Sequence, residues 1–219
     1  MKRRLITTAV GLVLFLGAFA QEKVVSIKYG DMDHWVTRKI HESGIIGGNT
    51  KLLYELGPTQ VIDGNEAYTN KGGSPWANSN VMAKVVGIVK TNTSVYPEKR
   101  GDGYCAKLET HIEKVKVLGM VNITVLASGS LFLGDMKEPI TGTKDGEKAL
   151  NVGVPFNQRP KAVRFDYKVK MSGQPDRIKQ NGFSRKSVVK GQDCAIMTCV
   201  LQKRHEDYSE TNRHGCGAL

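Results

Sequence analysis

VGVPFNQRPKAVRFDYKVKM, Val152 to Met171, carries the strictest pattern in the chain. From Ala162 onward Val163, Phe165, Tyr167, Val169 and Met171 share one parity, while Arg164, Asp166, Lys168 and Lys170 share the other. A period of two over ten residues predicts a strand with a dry face and a wet face. Pro155 and Pro160 precede it and exclude a helix, because proline donates no amide hydrogen and biases the residue before it toward extended backbone. The segment is expected to enter its strand through a stiff lead.

Other pieces of the chain fall into order around this one. Gly129-Ser130-Leu131-Phe132 ends an apolar run, Gly153-Val154-Pro155-Phe156 and Arg159-Pro160 open the patterned stretch, and Asp193 leads the uncharged run CAIMTCVL. In this order, from Trp76 to Leu201, the motifs resemble the putative carbohydrate metabolism domain, a family of secreted or surface proteins known mostly from gut Bacteroidetes. The resemblance implies an all-β fold, a jelly-roll-like, galactose-binding-like β-sandwich, with a glycan-related binding role. It brings no catalytic residues to carry over.

At the amino end Lys2, Arg3 and Arg4 lead an uncharged apolar run from Leu5 to Phe19, and Ala18-Phe19-Ala20 offers small residues where a signal peptidase reads them. The pattern predicts a secretory signal over 1–20, cut before Gln21, since the run is short for a membrane span of about 20 residues. No cysteine follows the cut to take a lipid anchor. The expected location is the periplasm, the outer-membrane surface or the extracellular space. What remains is the size of one sandwich domain, with 21–75 as opening strands and loop, 76–201 as the sandwich core and 202–219 as a polar tail.

The formal charge is +11. Lysines and arginines read as spread along the whole chain rather than gathered in a stripe, which argues against nucleic acid. Attraction to acidic polysaccharide or to an anionic membrane surface fits the charge equally. Cys105, Cys194, Cys199 and Cys216 leave three pairings open, and the five-residue spacing of Cys194 and Cys199 keeps those two from bridging within one strand.

Asp31-Met32-Asp33-His34 reads either as a polar turn or as metal ligands, since carboxylates and an imidazole at this density attract divalent ions. By analogy with sugar-binding sandwiches, Asp31, Asp33 and Asp193 form a candidate calcium site. After the turn, Val36, Arg38 and Ile40 alternate with Thr37 and Lys39. Thr59 to Asn80 lacks periodicity and reads as a long loop, the kind that carries function. Near its end Trp76 and Asn78 are candidates for carbohydrate binding: an indole face stacks on the C–H side of a sugar and an amide bonds its hydroxyls. The plainer alternative is that Trp76 plugs the core. Arg164, Asp166 and Lys168, on the wet side of the patterned strand, complete the candidate set.

Ser172 to Gln192 reads as a mobile basic loop, and CAIMTCVL as a strand buried on both faces. Beyond Leu201 the resemblance stops and the polar QKRHEDYSETNRHGCGAL is expected to be disordered, as a truncated or frameshifted end or one completed by a partner. No nucleophile elbow, zinc helix, phosphate loop or dinucleotide fingerprint occurs. The sequence therefore predicts an exported, non-catalytic module that binds glycan or serves glycan capture within a surface complex of other glycan-binding proteins. The alternatives are a carbohydrate hydrolase with an unidentified carboxylate pair, and a structural adhesion or assembly module.

Overall fold

The computed structural model describes residues 23–70, 72–117, 121–142, 145–180 and 185–202, so the expected signal segment and nearly all of the tail lie outside the described residues. Among these residues the regular structure is almost wholly β. The strands are β1 (Trp35–His41), β2 (Thr50–Leu56), β3 (Gln60–Asp63), β4 (Trp76–Asn78), β5 (Val81–Val85), β6 (Ile88–Asn92) and β7 (Val95–Arg100), followed by β8 (Gly103–Leu108), β9 (His111–Val117), β10 (Val121–Ala127), β11 (Leu131–Met136), β12 (Leu150–Val152), β13 (Asp176–Lys179) and β14 (Ser187–Lys190). One helical turn, α1 (Asp145–Lys148), precedes β12.

Strand β1 is the hinge of the design. It pairs antiparallel with β2 and parallel with β3, while β11 lies antiparallel between β4 and β12. β5–β6, β7–β8, β9–β10 and β13–β14 are antiparallel pairs. Several small, mostly antiparallel sheets without a closed barrel make up the all-β fold the sequence implies, consistent with a β-sandwich.

Alternation sets the core. Val36, Arg38 and Ile40 are buried, with Thr37 and Lys39 only half-buried between them, as their parity requires. Ile40 packs with Leu53 of β2, Met82 of β5 and Val89 of β6. Trp35, Leu56 and Val95 form a second apolar cluster, flanked by Tyr54, Trp76 and Leu131. The buried amide of Asn80 ties these layers together: its Oδ1 accepts from the Ser94 and Val95 amides at 2.8 and 2.9 Å, and its Nδ2 donates to the carbonyls of Tyr54 and Val95, both at 2.8 Å. One fully satisfied buried amide thus pins β2 to β7, because leaving any of those groups unpaired away from water would cost about 1–3 kcal/mol.

Three expectations change. Thr59 to Asn80 is not one loop, since β3 and β4 lie within it. The basic stretch 172–192 holds the β13–β14 hairpin, whose base is clipped where Ser172 Oγ donates to Asp193 Oδ1 at 3.1 Å. Most consequentially, 162–171 and 193–201 are assigned to no ladder among the described residues. Val163, Phe165, Tyr167, Val169 and Met171 are between 38% and 68% exposed, and Ile196, Met197, Val200 and Leu201 are exposed as well. Alternation specifies which side chains share a face; a ladder and a cover for that face require other strands in position.

The β5–β6 turn carries a visible local strain. Val85 pairs with Ile88, leaving Val86 and Gly87 as a two-residue turn with φ of 49° and 78°. Two positive φ values fit the primed hairpin turn that favours Asn-Gly, whereas a β-branched side chain crowds its own backbone there. Val86 is also almost fully exposed and packs against nothing that would compensate. Val86→Asn is expected to stabilise the fold by about 1 kcal/mol, read as a higher urea midpoint at unchanged m-value.

Candidate functional site

Among the described residues chemistry-bearing side chains gather at a sealed place and at an open one, besides the ion-paired Glu42, Lys90 and Glu113. The sealed one forms around Arg38, which alternation forces into the dry row of β1. Its Nη1 donates to Glu55 Oε1 at 3.2 Å and to Glu138 Oε1 at 3.1 Å, and its Nη2 donates to Glu138 Oε2 at 2.6 Å. Glu138 also accepts from the backbone amides of Met82 at 2.8 Å and Tyr68 at 3.0 Å, so both its oxygens are fully engaged. The guanidinium lies 5.2 Å from the centroid of the Tyr68 ring. Arg38, Glu55 and Glu138 are each almost wholly inaccessible.

One cation faces two carboxyls in this cluster, and burial decides the protonation. Loss of solvent pushes the Glu55 carboxyl up to about 8, against the pull of Arg38 and with further upward pressure from Glu138. At neutral pH Glu55 is then held toward its protonated form, which lessens the buried charge around Arg38. Burial raises the Tyr68 phenol too, with Glu55 adding to the rise. Beside the cluster, Glu55, Tyr68, Asn70, Asp135 and Glu138 line a recess that admits no more than a water-sized guest. It is too small for a sugar ring.

Two of the sequence candidates belong to this closed region. Trp76 on β4 is half-buried against the Trp35 cluster, and its indole N–H donates to the Lys28 carbonyl at 2.9 Å. Asn78 is buried, donating to the Tyr54 carbonyl at 2.8 Å and accepting from the Asn80 amide at 2.7 Å. Both are committed to holding β4 in place. Asp31 accepts from the Asp33 amide at 3.3 Å, Asp33 accepts from the Tyr104 amide at 2.7 Å, and Asp193 accepts from Ser172. Among the described residues no group of three or more metal-capable side chains assembles.

The open place is the segment 162–171. Arg164, Asp166 and Lys168 are all exposed there, whereas Trp76 is half-buried and Asn78 buried. The rings of Phe165 and Tyr167 alternate with them along the chain, 54% and 68% exposed, with centroids 5.8 Å apart and planes tilted by 46°. These two aromatics were assigned to the dry face of a covered strand by parity; the structure turns that face to solvent. What alternation could signal was that they share a side, and they do.

A family model described as "Putative carbohydrate metabolism domain" matches residues 58–215, beginning before Trp76 and running past Leu201, wider at both ends than the motifs that carry the resemblance. No curated protein and no solved structure matches the chain.

The protonated Glu55 has a measurable consequence. Its folded pKa lies above the ordinary 4.5, so between about pH 4.5 and 8 the folded protein keeps a proton that the unfolded chain has released. Its contribution to stability is therefore whole below pH 4.5 and lost as pH rises toward 8. Unfolding free energy from urea titrations should fall over that interval by an amount on the order of a few kcal/mol, and Glu55→Gln should flatten the slope and raise stability at pH 8. A slope of the same size in the Gln variant would show that the proton resides elsewhere.

Proposed function

The chain belongs to the Putative carbohydrate metabolism domain family, and from that premise we propose that it is an exported, non-catalytic module that binds glycan through the open segment 162–171. The observation that carries this reading is the solvent-facing pair Phe165 and Tyr167, flanked by Arg164, Asp166 and Lys168. Aromatic rings presented to water at this spacing offer flat apolar surface to the C–H faces of sugar rings, and the alternating charged side chains offer donors and acceptors to hydroxyls. Export rests on the basic lead and apolar run of residues 1–20. Its place is then outside the inner membrane, alone or within a complex that gathers glycan at the surface.

A hydrolase reading draws on one feature, the neighbouring carboxyls of Glu55 and Glu138, of which burial holds Glu55 toward the protonated form that a general acid in glycoside hydrolysis needs. Access weighs against it. Both groups bond the same guanidinium, both are buried, and the recess beside them excludes a sugar. Binding at an open face needs no such rearrangement.

The experiment is a glycan-array screen of the chain with Phe165→Ala and Tyr167→Ala, alone and together. Each ring is exposed, so the folded state should survive, checked by near-ultraviolet circular dichroism. The double variant is expected to lose at least tenfold in affinity for whichever glycan the chain binds, on the order of 1–3 kcal/mol for two stacking rings. Trp76→Phe should leave affinity unchanged and lower stability, since the indole N–H bond to Lys28 would be lost. Binding that ignores both rings, or release of reducing sugar abolished by Glu55→Gln, would overturn the reading.

A further inference from the structure

The basic residues are not spread evenly, contrary to the first reading of the sequence. Between residues 159 and 193 there are ten lysines and arginines against three acidic residues, Asp166, Asp176 and Asp193, a net of +7. Residues 23–158 carry 16 basic against 14 acidic residues, a net of only +2. The fold treats the two groups differently as well. Arg38, Lys90 and Lys107 in the earlier part are ion-paired to glutamates. All ten in the later part are exposed, and none is ion-paired to a carboxylate among the described residues.

Along the chain they recur. Arg159, Lys161, Arg164, Lys168 and Lys170 lie on or just before the segment that presents Phe165 and Tyr167, and the β13–β14 hairpin that comes next in sequence carries Arg177, Lys179 and Lys190. In extended chain, Lys168 and Lys170 project about 7 Å apart, so positive charge recurs along a strip rather than converging on a point. Unpaired cations alternating with exposed rings along one segment suit a chain that carries a negative charge on successive units and an apolar face on each, gripped along the edge of the segment. We propose that the glycan bound at this face is an anionic polysaccharide, a polymer of uronic acid or sulfated sugars. The inference rests on the glycan-binding reading above and adds the charge class of its ligand.

Each cation alone contributes little when solvated, so the affinity should come from many weak contacts and be strongly screened. The test measures binding of the chain to alginate, a polyuronate, and to neutral dextran of similar length, with single-stranded DNA and phosphatidylserine vesicles as competing polyanionic surfaces. Alginate is expected to bind at least tenfold more tightly than dextran, to weaken at least tenfold between 50 and 300 mM NaCl, and to lose at least tenfold in Arg164→Glu/Lys168→Glu, a variant whose thermal midpoint should be unchanged. Equal affinity for dextran and alginate would overturn the charge assignment and leave glycan binding standing. No binding to either polysaccharide, with none on the array, would sink both. DNA or vesicles bound as tightly as alginate at matched charge would replace the assignment with general attraction to polyanions or to membrane.

Discussion

Arg38 bonded to Glu55 and Glu138 is the constraint on which the closed half of the molecule depends. Removing a guanidinium and two carboxyls from water is expensive, and such an arrangement persists only when the geometry satisfies every donor and acceptor. Here Glu138 uses both oxygens on the guanidinium and two backbone amides, and burial holds Glu55 toward its protonated form, which lessens the buried charge. The bonds span 17 residues to Glu55 and 100 to Glu138. Strands β1 and β2, the segment after β3, the start of β5 and the end of β11 must therefore all be in register before the cluster is satisfied. A mispaired sheet would bury an uncompensated ion, which is a heavy penalty for a wrong fold. The apolar clusters around Ile40 and Trp35 supply the general drive to collapse; the ionic cluster selects which collapse survives.

Half of this was legible in the chain. The parity of Val36, Arg38 and Ile40 placed a lone arginine among buried neighbours, and a charge in a dry row signals that a partner must exist. The identity of the partners was not legible, because Glu138 is remote in sequence and looks like any acid in a charged loop. The Ser-Pro-Trp-Ala-Asn-Ser-Asn segment shows the same split. Its polar and aromatic residues stood out, but their role as a latch, with Asn78 and Asn80 on the Tyr54 carbonyl, depends on β2 lying beside them. Short strands such as β3 and β4 escaped notice since three or four residues carry too little periodicity to be seen.

The segment 162–171 was read correctly as alternating and wrongly as covered. Its pattern records a choice made for two distinct sides, and nothing in a period of two says whether the apolar side meets a sheet, a partner or a ligand. The same ambiguity affects CAIMTCVL, whose lack of charge was taken to mean burial on both faces although Ile196, Val200 and Leu201 are exposed. Charge distribution was the better clue. Counting basic residues over the whole chain hides the contrast between a nearly balanced first part and a strongly positive later one, and the structure adds that Arg38, Lys39, Lys90 and Lys107 of the first part are ion-paired while none of the ten in the later part is, among the described residues.

On the proposed reading, that contrast separates the tasks of the two regions. In the sealed cluster Arg38 and Glu138 are spent on one another, and although the Tyr68 hydroxyl and the Asn70 Oδ1 beside them lack a partner among the described residues, the recess they line holds nothing larger than water. An open strip, by contrast, contributes little to the stability of the fold, because its side chains bury almost nothing and surface ion pairs are worth at most about 1 kcal/mol each. Recognition of that kind gains strength by repetition: a polymer touching several cations and two rings at once places each later contact at high effective concentration once the first is made. A monosaccharide meets only one or two of those contacts and gains no such advantage. On the proposed reading, then, an extended and unpaired segment suits the ligand it serves, since a long chain is best met by a long surface, and the closed sandwich is what holds that surface in place.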